Sequence, residues 1–176
     1  MNTNDLITEL NEQMQYTSQT KKLSYTGADG VVHHYYHEYQ KGATDNQIQI
    51  LETHIGKQLP EIFIQILKLS NGIKFFLDAN VKQYRMYRLS IDSCDTIMET
   101  YDWNMLNNML MSSDEKENTL CIGRIVDSGT LVLDLREDYI KSNKFLLLQS
   151  IDEEFKHVNL VNWMLDFLAT CGENIA

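Results

Sequence analysis

Residues 48–76 read IQILETHIGKQLPEIFIQILKLSNGIKFF, and how this stretch is parsed decides the fold. Ile48, Leu51, His54 and Ile55 recur at helical spacing. Thr44 stands just ahead of them with Gln47 three residues on, the pattern of a capping box. Gly56 predicts the end of that helix. Leu59-Pro60 opens a second one, with Pro60 near its first position, where a missing N–H costs nothing. Ile62, Phe63, Ile66, Leu67 and Leu69 are its apolar set. Ser70-Asn71-Gly72 predicts a stop in a left-handed turn, with Asn71 bonding its neighbouring backbone. Strands are then expected over Ile73 to Leu77 and Tyr84 to Leu89, joined by an Asp-Ala-Asn turn.

Working outward, Asp92 to Trp103 predicts a polar helix or irregular arm, capped by Asp92 or Ser93 and continued by the apolar pattern of residues 104–111. Residues 112–119 are expected to form a charged loop. Leu120 to Val126, Thr130 to Leu135 and Lys144 to Ser150 predict three more strands, the first two joined at Asp127-Ser128-Gly129. Asn159 to Ala169 carries Leu160, Trp163, Met164, Phe167 and Leu168, an amphipathic closing helix. Upstream, residues 4–16 place Leu6, Ile7, Leu10 and Met14 on one helix face. KKLSYT and VVHHYYHEY then flank Gly-Ala-Asp-Gly and predict a β-hairpin. Helices, then strands, then a helix, with little βαβ alternation, predict an α+β fold with a mainly antiparallel sheet flanked by helices.

With 176 residues, 43% of them hydrophobic, one domain with a sizeable core is expected. Residues 1–43 read as a helix and hairpin extension, and 44–176 as the main domain. No stretch approaches the roughly 20 apolar residues of a membrane helix. The start, MNTNDLITEL, has neither a basic segment nor an apolar one, so a cytoplasmic protein is expected, without membrane partners. Cys94, Cys121 and Cys171 are odd in number and far apart, and read as reduced, partly buried thiols. The net charge of −10 disfavours direct nucleic-acid binding and favours a basic protein partner, with ordinary solubility as the alternative reading.

The 48–76 stretch resembles the SUKH superfamily, the domain shared by a yeast cell-wall regulator and many bacterial immunity proteins. The matching features are Glu52 ahead of Ile55-Gly56, Leu59-Pro60 at the next helix start, and Asn71-Gly72 before an aromatic-rich strand. CIGRIVDSGTLVLDL (121–135) is similar to the family's Ile-Gly strand, Gly turn and Leu-Asp strand, and HVNLVNWMLDFLA (157–169) to its closing helix. The resemblance spans residues 44–170. Ile73 departs from it, because many members carry an aromatic residue after Asn-Gly. The resemblance implies binding rather than catalysis: bacterial members neutralise secreted toxins, often nucleases, inside the producing cell and its kin.

Three features are candidates for chemistry. His33, His34, His37 and Glu38 suggest a metal site, since His33 and His37 would share one face of a helix. On a strand, however, they lie about 13 Å apart, too far for one ion with bonds of roughly 2 Å. Val31-Val32 and the Gly-rich turn favour the strand, and so a solvated hairpin face or a Tyr/His contact surface. The acids Asp134, Glu137, Asp138, Asp152, Glu153 and Glu154 have no spacing that singles out a catalytic pair. Neither enzyme activity nor a cofactor or bound metal is expected.

The third feature is charge. Between Ser90 and Asn118, seven acids face Lys116 alone, a net −6 in 29 residues. Asp92, Asp95, Glu99, Asp102, Glu115 and Glu117, with Trp103 as aromatic anchor, form the candidate partner-binding set. The competing reading places Trp103, Met105, Leu106, Met109 and Leu110 in the core, with the acids as their solvated face. The expected function is a non-enzymatic immunity protein that binds a cognate, basic toxin. A regulatory scaffold with another partner is the alternative.

Overall fold

The structure is a computed structural model that describes residues 3–17, 22–26, 30–79, 87–107, 117–126, 129–150 and 156–171. Among the described residues, eight strands form one antiparallel meander in which each pairs with its neighbour in sequence. They are β1 (Leu23–Thr26), β2 (Val32–Tyr39), β3 (Ile73–Asp78), β4 (Leu89–Ile91), β5 (Thr119–Ile125), β6 (Gly129–Asp134), β7 (Leu146–Ser150) and β8 (Lys156–Val158). The described helices are α1 (Thr3–Tyr16), α2 (Asp45–Ile55), α3 (Glu61–Leu69), α4 (Cys94–Asn107), α5 (Glu137–Ser142) and α6 (Leu160–Ala169). The expected α+β architecture, an antiparallel sheet flanked by helices, is present.

The helix boundaries follow local chemistry. At α2 the capping box forms in full: the Thr44 side chain accepts from the Gln47 N–H, and Gln47 Oε1 accepts from the Thr44 N–H. Gly56 closes α2 in the left-handed conformation, at φ 68. Glu52 Oε1 accepts the Leu59 N–H, fixing the corner into α3. Pro60 is the N-cap of α3, one place before its first helical residue. The α3 exit differs from expectation. Ser70 is extended, at φ −152, and the positive φ falls two residues later at Gly72. The Ser70 hydroxyl donates to the Gly72 carbonyl and the Asn71 side-chain oxygen accepts the Cys94 N–H. Asn71 therefore joins the α3 exit to the start of α4 rather than bonding its own neighbours.

Hairpin β1–β2 pairs with β3 and so belongs to the same sheet. The strand expected at residues 84–89 falls largely outside the described residues, and the strand seen is Leu89–Ile91. Strand β8 and helix α5 were not anticipated. Buried residues of α1, α2, α3, α4 and α6 pack with Phe75, Phe76, Leu89, Leu120, Leu131 and Leu146 of the sheet in one contiguous core.

The VHHYYHEY segment is a strand, so the helical metal geometry does not arise. Nor is it a solvated or contact face throughout, because Tyr35 and His37 are both buried. The register between β2 and β3 shifts from Tyr36↔Leu77 to Glu38↔Lys74, which inserts one extra residue on β3. Phe75 and Phe76 thus both face the core opposite His37, and Phe76 takes a left-handed φ of 53. The imidazole answers the irregularity: His37 Nδ1 accepts the Phe76 N–H at 3.1 Å. That assigns the ring hydrogen to Nε2, which donates to Gln13 Oε1 of α1 at 3.2 Å. His37 also stands edge-on to Phe75 and Phe76, with ring centroids 5.3 and 4.8 Å away. The Tyr39 hydroxyl donates to the Met14 carbonyl, a second tie between hairpin and α1.

Candidate functional site

Helix α4 carries the candidate binding surface. Cys94 and Ile97 are buried against the core, which turns the opposite face of the helix outward. Asp95, Glu99 and Asp102 follow at spacings of four and three, form one stripe, and are all exposed. The helix contains no Lys or Arg. Ser93 caps its start, its hydroxyl oxygen accepting the Thr96 N–H.

Trp103 is 54% exposed and Met105 43% exposed, so neither is core. This overturns the competing reading for those two residues. The side chain of Leu106, and Met109 and Leu110, lie outside the described residues. The neighbouring α2 adds to the surface. His54 Nε2 lies 2.7 Å from Asp102 Oδ1, and the His54 ring stands edge-on to Tyr101 at 6.2 Å. One turn back along α2, Ile50 is 48% exposed. Lys57 Nζ donates to Asn118 Oδ1 and holds the segment carrying exposed Glu117 beside the end of α2.

The predicted set thus divides. Asp95, Glu99, Asp102 and Trp103 share one helix face, and Glu117 sits near the far end of α2. Asp92 stands apart, half-buried in a cleft at the ends of β2, β3 and β4. Burial raises the Asp92 pKa, with Arg124 and Lys74 pulling against it. Glu115 lies outside the described residues.

A second polar cluster escaped the sequence reading. Asp134 is fully buried at the end of β6. Its carboxylate accepts from Arg136 Nε at 2.9 Å, the Arg136 backbone N–H at 3.1 Å and Arg136 Nη2 at 2.5 Å. His157 Nε2 lies 2.9 Å from its Oδ2. The Tyr139 ring stacks on His157 with centroids 3.8 Å apart, and the Arg136 guanidinium sits 4.8 Å from the centre of the same phenol. Burial pushes the Asp134 carboxyl up, but the Arg136 and His157 hydrogen bonds outweigh it and hold it below the usual carboxylate range. These contacts join β6, the Arg136 N-cap of α5, Tyr139 of α5 and His157 of β8, so the cluster clamps the end of the sheet. Among the described residues, no group of three or more His, Cys, Asp or Glu could hold a metal ion. Burial raises the Cys94 thiol to about 11 and moves Cys121 in the same direction, away from thiolate reactivity.

Fold and surface together define an α+β domain that presents an acidic helix face with an exposed tryptophan and holds buried Asp134 in a structural ionic cluster. The pattern of the SMI1/KNR4 family (SUKH-1) matches residues 42–163. The chain belongs to this family. Comparison with curated proteins gives no match. No helix among the described residues is long and apolar enough to cross a membrane.

Proposed function

We propose that this protein is a non-enzymatic immunity protein of a bacterial toxin system, acting in the cytoplasm. It binds a cognate basic toxin through the α4 face and blocks the toxin's active site. One observation carries the reading: the Asp95–Glu99–Asp102 stripe runs beside an exposed Trp103 on a helix without a single cation. Aromatic anchors supply much of the energy at protein interfaces, and charge speeds and orients the encounter. A stripe of carboxylates also imitates the phosphate spacing that a nuclease's basic cleft is built to receive, so a nuclease toxin suits the surface. Family membership supports a role of this kind.

The test mixes the purified protein with the toxin domain encoded beside its gene, at low salt, and measures complex formation and residual toxicity. A tight complex with loss of toxicity is the expected result. No complex and no protection would sink the proposal. Binding to a cellular protein from a housekeeping neighbourhood would favour a regulatory scaffold instead.

A further inference from the structure

The sheet carries a polar row at the cleft that holds Asp92. Register places Glu38 opposite Lys74, Lys74 opposite Ser90, and Ser90 opposite Arg124. Directly opposed positions bring Cβ atoms to about 5 Å. Lys74 and Arg124 therefore flank Ser90, with Lys74 and Ser90 in the lining of the cleft and Arg124 outside it. Among the described residues, neither cation forms an ion pair. The Lys74 ammonium instead lies 5.4 Å from the centre of the Tyr87 ring. Ser90 lines the cleft, and no hydrogen bond occupies its hydroxyl among the described residues.

Asp92 supplies the opposite sign. It is two residues from Ser90, a spacing of about 7 Å along one side of an extended chain. Its backbone N–H donates to the Ile122 carbonyl, but its carboxylate meets no hydrogen-bond donor among the described residues. Burial raises its pKa despite Arg124 and Lys74, as expected of a carboxylate without a donor. The cleft holds about 510 Å³, within the range of small-molecule sites. Among the described residues that line the cleft, the carboxylates of Glu38 and Asp92 stand against one Lys or Arg cation, Lys74. A ligand that carries an ammonium group beside its carboxylate suits such a lining, whereas a phosphate sets two charges against the carboxylates.

We propose that this cleft binds a small zwitterion of the α-amino-acid class, its carboxylate held by Lys74 and Ser90 and its ammonium group by Asp92. Tyr87 and Tyr39 wall the site and bear on the ligand's side chain. The cleft reaches the first turn of α4 at Thr96 but does not include Asp95, Glu99, Asp102 or Trp103, and its ligand is proposed whether or not that stripe binds a toxin.

Isotope-labelled full-length protein is titrated with L-serine and L-glutamine and, separately, with acetate, ethylamine and inorganic phosphate, following amide resonances. The amino acids are expected to shift Gly72, Lys74, Ser90 and Ser93 saturably, at least ~10-fold more tightly than acetate or ethylamine alone. Lys74→Gln, at an exposed position, should weaken amino-acid binding by about 10-fold or more without changing the melting temperature. Asp92→Asn should weaken amino acids while strengthening acetate. Three results overturn the proposal: no saturable shift up to about 50 mM amino acid, phosphate binding more tightly than either amino acid, or amino-acid binding indifferent to both substitutions.

Discussion

Above pH 6.5, His37 is neutral in both the folded and the unfolded chain. Burial removes water from the imidazolium and lowers the folded-state pKa to about 4. As pH falls from 6.5 towards 4, the unfolded chain takes up a proton that the folded chain refuses. His37 stability is therefore complete above pH 6.5 and lost progressively down to about pH 4, a total of about 3 kcal/mol. Urea melts at pH 7.5, 5.5 and 4.5 should show this loss, and His37→Gln should flatten it over that window; an unchanged slope would remove His37 as the cause. Asp134 acts lower on the scale. Its pKa is held down, so its contribution is lost only as pH falls below the usual carboxylate range. Asp134→Asn should cost about 3 kcal/mol at neutral pH, because Arg136 and His157 lose the buried charge they face. A urea midpoint within experimental error of the parent would contradict the clamp. Neither role was legible in the sequence. The histidine run advertised metal chemistry; strand alternation turns His37 inward with Tyr35, and the Phe75-Phe76 irregularity supplies the N–H that its ring accepts. Asp134 lies 23 residues from His157, and nothing local joins them.

At the scale of elements, what could be read in advance was what is decided locally. Thr44 with Gln47, Gly56, Pro60 and Asn159 each act within a few residues, and the helices they bound lie close to where expected. Strands β4 and β8 are three residues each, too short to show an alternating pattern, and one was displaced while the other was missed. Helix α5 has six residues and no side-chain cap, so it left no start signal. Pairing between β4 and β5 carries a sharper demand. A Cβ on Gly123 would sit 1.9 Å from the Ser90 carbonyl oxygen and 3.2 Å from the Ile91 Cα, both backbone atoms. The strands must separate to admit it. Gly123→Ala should therefore destabilise the fold by about 3 kcal/mol or more. Calorimetry would test this, and a melting temperature unchanged within a degree would show that the two strands do not approach so closely.

For the molecule as a whole, charge and exposed aromatic surface make separable contributions to the proposed complex. The resemblance located the domain because its turn residues specify backbone geometry, but the α4 face had to be built before the acids could be sorted. Trp103 and Met105 could be read as core or as surface until the helix was docked on Cys94 and Ile97. The triple change Asp95→Asn, Glu99→Gln, Asp102→Asn removes formal charge from the stripe with little effect on packing, since all three are exposed. It should slow association by about 10-fold or more at low salt, leave dissociation nearly unchanged, and flatten the salt dependence of the association rate. Trp103→Ala should do the reverse. It leaves the encounter rate intact and speeds dissociation by ~30-fold, the kinetic equivalent of about 2 kcal/mol at an aromatic anchor. Stopped-flow association at several ionic strengths, paired with dissociation chases, separates the two effects. Thermal melts of the free variants should match the parent, because none of the four side chains lies in the core cluster. If the charge variant associates as fast as the parent at every salt concentration, the stripe does not steer the partner, and contact must be made elsewhere.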